Sequence, residues 1–166
     1  MDNNSYYGKY TEMLDPTDLK LLTLLQEDCR ITNAQLAQAL SISPSSCWRR
    51  VKSLEEIGLI KEYRAELDRQ AAGYHFSAIL HVSLSRQRAE NVETFEAAIA
   101  GRDEVLECYA TTGDADYHLR VVVRDITEFN SFLDGFLFRL PGVANVKSNI
   151  VLKDIKSTAK LPLRTS

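Results

Sequence analysis

A chain of 166 residues has room for one medium domain or two small ones, each with a modest core of its own. With 45% hydrophobic and 26% charged residues it excludes wholesale disorder, and its longest apolar runs, Phe76–Leu84 and residues 119–123, fall far short of the ~20 residues a bilayer span requires. A net charge of −3 does not mark the chain as a partner of polyanions, so any cationic surface must be a local one.

The opening MDNNSYYGKY has no basic flank ahead of an apolar segment. Cys29, Cys47 and Cys108 are odd in number and share no C-x-x-C spacing. Together these predict a cytoplasmic chain with reduced thiols, no metal site and no membrane contact. Cys47 is expected to be a buried structural thiol rather than a redox switch.

The first element opens at Asp15-Pro16 with Asp18 following: a side-chain oxygen for free amides, a ring preset for the first turn, and acid at the positive helix end. Leu19, Leu22 and Leu25 then recur at helical spacing, broadened by Leu21 and Leu24. A second start lies at Thr32, where Gln35 completes a capping box before Leu36, Ala37 and Leu40. After the turn 41–43, Ser43-Pro44 repeats the cap-plus-proline signal and predicts a third helix over residues 44–57. Cys47, Val51, Leu54 and Ile57 form its inward stripe. Ser45, Arg49, Lys52 and Glu56 occupy another face, with Ser46, Arg50 and Ser53 beside it and the Ser43 hydroxyl at its start.

No acid interrupts residues 43–54, so a cationic front backed by an apolar stripe suits the major groove, which admits a helix and offers guanine acceptors to Arg. The Trp48 indole could close the core or contact a DNA sugar, and core packing is the favoured expectation. Gly58 ends the helix, and the alternation in residues 59–64 predicts a short wing strand. A basic helix alone is more often a solvated face; the order of short capped helix, tight turn, Arg-Arg helix and strand favours DNA binding.

Beyond a polar, glycine-terminated stretch at residues 68–73, the pattern switches to alternation. Ala78, Leu80, Val82 and Leu84 share one face of a strand. A helix through Val92, Phe95 and Ile99 ends at Gly101. Strands over 105–112 and 117–123 flank the hairpin-type loop Gly113-Asp114-Ala115-Asp116. A helix bearing Phe129, Phe132, Leu133, Phe136 and Leu140 stops at Pro141-Gly142, and a last strand covers 143–152. This βαββαβ order predicts a ferredoxin-like sheet with both helices on one face. The uncovered face, with candidates Ile79, Tyr109 and Val122, predicts association into at least a dimer. His75, His81 and His118 read as scattered along strands, and with no phosphate loop in the sequence, no catalytic residue and no cofactor are assigned.

The segments LDPTDLKLLTLLQEDCRITNAQLAQALSISPSSCWRRVKSLEEIGLIKEY, ECYATTGDADYHLRVVV, LPGV and VLKDIKSTAKLPL, in that order across residues 14–163, resemble the Lrp/AsnC family of feast/famine regulators. The resemblance implies an α+β chain: an N-terminal winged helix-turn-helix, a linker strand, and a C-terminal ferredoxin-like RAM domain that dimerises and often builds octamers. The corresponding boundaries are an arm at 1–13, the DNA-binding domain at 14–64, a linker at 65–74, the effector and oligomerisation domain at 75–156 and a tail at 157–166.

It further implies double-stranded DNA and an amino acid or related metabolite as partners, with Thr112, Gly113, Asp114, Ala115, Asp116 and Tyr117 in the effector-contacting segment. Exposed amides at a glycine turn suit an α-carboxylate, and Asp114 or Asp116 suits an α-ammonium. Read without the family, the same residues describe a plain hairpin loop better than a ligand site, since Gly and Asp are also the favoured loop residues; the resemblance reverses that order. The alternative function is an architectural protein that organises DNA without an effector.

Overall fold

The computed structural model describes residues 14–85 and 89–163, in two compact units. Of the described residues, one unit contains 14–66 together with 158–163, and the other contains 67–85 and 89–157. The anticipated arm at 1–13 lies outside the described residues.

In the first unit, helices α1 (Pro16–Glu27), α2 (Asn33–Leu40) and α3 (Pro44–Glu56) begin at the three predicted caps. Asp15 and Thr32 each form a reciprocal capping box, and the Ser43 hydroxyl accepts from the Ser46 N–H. The α2–α3 turn is held by Ser41 in the left-handed region, φ 57°, and by the Asn33 carboxamide, which donates to the Pro44 carbonyl at 2.9 Å. That bond ties the first residue of α2 to the first of α3 and sets where α3 points.

Leu21, Leu22, Leu36, Ala37, Cys47 and Leu54 form the core, each leucine contributing roughly 1.5–3 kcal/mol by leaving water. Burial also pushes the Cys47 thiol up, as expected for a structural cysteine. Leu163 packs on this cluster, and the Gln26 carboxamide clasps the Leu161 backbone, donating to its carbonyl at 3.3 Å and accepting from its N–H at 2.7 Å. Within the predicted tail, residues 158–163 therefore belong structurally to the helical unit.

The expectation of a strand within the wing needs correcting. Residues 59–64 carry no strand among the described residues. Alternation needs a neighbouring strand to become a ladder, and here the Leu59 and Ile60 amides instead donate to the Leu54 carbonyl, while the Tyr63 hydroxyl donates to Glu55.

The second unit follows the predicted order: β1 (Phe76–Leu84), α4 (Ala89–Ala100), β2 (Val105–Ala110), β3 (Tyr117–Val123), α5 (Ile126–Gly135), a 3-10 turn (Leu137–Arg139) and β4 (Val143–Ile150). Its four strands lie in the order β2-β3-β1-β4, all neighbours antiparallel. Ala78, Leu80 and Val82 of β1 and Leu119, Val121 and Val123 of β3 meet Phe95, Ile99, Phe129 and Phe132 from the helices. The strands expected over 105–112 and 143–152 overran by two residues at their ends, the one over 117–123 matches, and α5 stops at Gly135 before the 3-10 turn.

Gly142 supports one stability prediction. Its φ is +87°, and a Cβ there would lie 2.8 Å from the Asn91 Cβ. Gly142→Ala is expected to lose about 2–4 kcal/mol in denaturant unfolding, from backbone strain plus overpacking; a loss under about 0.5 kcal/mol, the scale of an ordinary surface change, would contradict this packing.

Candidate nucleic-acid and effector sites

Helix α3 divides cleanly. Cys47 and Leu54 are buried, while Ser45, Arg49, Lys52 and Ser53 are exposed on the other side. Ser43 caps the helix and shares a 3.1 Å hydrogen bond with the Ser45 hydroxyl, and the half-buried Ser46 donates its amide to that cap. The predicted cations have three different environments. Arg49 is exposed and, among the described residues, has no ion-pair partner. Lys52 pairs with Glu55 at 2.6 Å one turn along the helix.

Arg50 instead turns back to the start of α1, where its guanidinium lies 2.7 Å from both Asp15 and Asp18. The hydrogen bonds it donates to Asp18 and then Asp15 raise its pKa above the usual value. The Asp18 backbone N–H, opposed by burial and reinforced by Arg50, holds the Asp15 carboxyl below its usual range. A double hydrogen-bonded bridge joining α3 to α1 is what this arginine builds in the folded chain. Trp48 overturns its expectation: it is 55% exposed, one position beyond buried Cys47 and therefore rotated out among Ser45, Arg49 and Lys52.

In the second unit, the predicted effector segment closes the β2–β3 hairpin. Thr112, Gly113 and Asp114 are exposed, with Gly113 at φ 131°. Asp116 is occupied: its carboxylate accepts from the Leu84 N–H at 2.7 Å, where the β1–β4 register shifts, and its own N–H donates to the Val82 carbonyl. Ala115 is buried, and so is Tyr117, whose hydroxyl donates to Glu96 at 2.7 Å. Burial, with help from Glu96, pushes the Tyr117 phenol up to about 12.

Gly113 and Asp114 form one wall of an open cleft of about 560 Å³ on the helix-free side of the sheet, whose other walls include His81, His118, Asn145 and Lys147. The β1–β3 register sets His81 directly opposite His118, with ring centroids 4.5 Å apart. Two of the three histidines read as scattered are therefore neighbours; alternation puts each off the apolar stripe of its own strand, but the register that pairs them has no signal in the sequence. Asn149 shares a 2.9 Å hydrogen bond with His81. Ile79, Tyr109 and Val122 do lie on this side, yet Val122 is buried and polar groups dominate around the histidines. Among the described residues, no group of three His, Cys, Asp or Glu is placed to hold a metal ion.

A helix-turn-helix presenting an unpaired arginine, carried with a ferredoxin-like unit whose glycine–aspartate loop opens onto a cleft, is the build of a ligand-responsive DNA-binding regulator. Residues 77–161 match the Lrp/AsnC ligand binding domain, and residues 14–61 match a winged helix-turn-helix DNA-binding domain. The leucine-responsive regulatory protein of Haemophilus influenzae is 36% identical over 94% of both chains. A Bkd operon transcriptional regulator of Pseudomonas aeruginosa is 39% identical over 90% of this chain and 98% of its own. In structure, a transcriptional regulator of Neisseria meningitidis in complex with L-Met superimposes with a TM-score of 0.87 at 39% identity, covering 90% of this chain and 97% of that one. The chain belongs to the Lrp/AsnC family of transcriptional regulators.

Proposed function

We propose that the chain reads a roughly palindromic DNA site through α3, with Arg49 as the principal base or phosphate contact. Ser45, Lys52 and Ser53 flank it, and the Ser43 and Ser46 end of the helix lies near the backbone. The observation that carries this is the unpaired Arg49 on the exposed side of a helix whose other side is core. Arg50 supports the arrangement as a brace between α1 and α3. On this reading an amino acid binds at the β2–β3 loop, its α-carboxylate on the amides around Gly113 and its α-ammonium on Asp114, with Thr112 and the adjoining cleft receiving the rest. Ala115, Asp116 and Tyr117 hold the loop's shape.

Homodimers, assembling further to octamers, multiply the reading helices engaged at once, and effector binding shifts that assembly. The L-Met complex of the Neisseria meningitidis relative supports an amino acid as effector. A cytoplasmic, non-enzymatic role accords with relatives that are transcriptional regulators. Selection of duplexes from a random-sequence pool tests the DNA reading. A shared, near-palindromic sequence is the expected product; binding indifferent to sequence would favour the effector-independent architectural role.

A further inference from the structure

Trp48 is the chain's one tryptophan, and it stands 55% exposed on α3. The other apolar side chains of that helix do not share this placement: Cys47 is 0% exposed, Leu54 is 3% exposed, and Val51 is half-buried against the core. An indole left in water forfeits the burial that normally stabilises it, and no hydrogen bond within the described chain compensates. Its neighbours in helical register define what would cover it. Ser45 lies three residues before and Lys52 four residues after, on the same side, with Arg49 adjacent. The surface is cationic at its edges and apolar at its centre, complementary to a groove lined by phosphates and floored by base edges.

We propose that Trp48 is a specificity-determining residue that packs against thymine methyl groups in the major groove. The inference rests on the DNA-binding reading above. Cations beside the indole contact phosphates and set register but carry little sequence information, whereas apolar contact with a thymine C5-methyl distinguishes T·A from the other pairs. The fifth position of a helix starting at Pro44 is early enough to reach base edges, which groove-reading helices contact from their N-terminal turns. The Asn33–Pro44 bond and the Ser43 cap fix that end of the helix, so the indole is presented rather than free to wander.

The test uses duplexes recovered by the wild-type chain from a random-sequence pool. Replacing thymines with uracil one at a time removes only the methyl. At one or two half-site positions this should weaken wild-type binding roughly fourfold, the effect of one buried CH2-sized group, and should leave Trp48→Ala unaffected there. Trp48→Phe should retain part of the discrimination. Wild-type tryptophan emission should become protected from acrylamide on saturation with duplex. The proposal is overturned if Trp48→Ala keeps every uracil penalty, if acrylamide access is unchanged by duplex, or if the substitution alters only self-association. A chain that binds duplex through Arg49 while failing these tests disproves the role of Trp48 alone; a chain that binds no duplex disproves the DNA reading with it.

Discussion

Arg49→Ala is expected to weaken binding to a selected duplex by about tenfold or more, the range of one lost arginine contact, with the melting temperature unchanged. If the contact is to phosphate, the salt slope should also fall by about one. Arg50→Ala should behave in the opposite way. Removing the guanidinium leaves the Asp15 and Asp18 carboxylates facing each other without their bridge, and stability should fall by about 1–2 kcal/mol once the partial exposure of Asp15 is allowed for. For a unit of this size that is a drop of several degrees in melting temperature. Duplex affinity, measured well below the transition, should change little. Two adjacent arginines thus have separable roles. Equal effects of both substitutions on affinity, with neither affecting stability, would contradict the assignment.

The second large effect separates the two aspartates of the β2–β3 loop. Asp116→Ala leaves the Leu84 N–H without its acceptor at the point where β1 and β4 shift register, costing about 1–3 kcal/mol. It should lower the melting temperature whether or not an amino acid is present. Asp114 is exposed and its carboxylate is absent from the loop's hydrogen bonds, so Asp114→Ala should melt like wild type. What it should lose is the upward shift in melting temperature that an effector specific to the folded state produces. A wild-type-sized shift in Asp114→Ala would move the effector site away from this loop.

The fold was legible where local chemistry decides it. Asp15, Thr32 and Ser43 announced their helices because a cap acts within three residues, and the alternation of Ala78, Leu80 and Val82 declared a half-buried strand. Residues 59–64 misled because alternation reports a tendency to pair, not the presence of a neighbour. The candidate site was legible in outline and not in detail. Arg49 and Arg50 look alike in sequence; only the long-range return of α3 to the start of α1 distinguishes the arginine held by Asp15 and Asp18 from the one proposed to read DNA. The same holds for Asp114 and Asp116, since which one bonds Leu84 depends on a bulge with no local signature. An indole suits either the core or DNA, and core packing is the wrong choice for Trp48 because its position one step past Cys47 puts it off the inward stripe.

The most direct test of the regulator reading measures affinity for the selected duplex with and without each common amino acid, in wild type and Asp114→Ala. The predicted result is at least one amino acid that changes wild-type affinity by about fivefold or more while leaving Asp114→Ala unmoved. Wild-type affinity and assembly unchanged by every amino acid tested would contradict it.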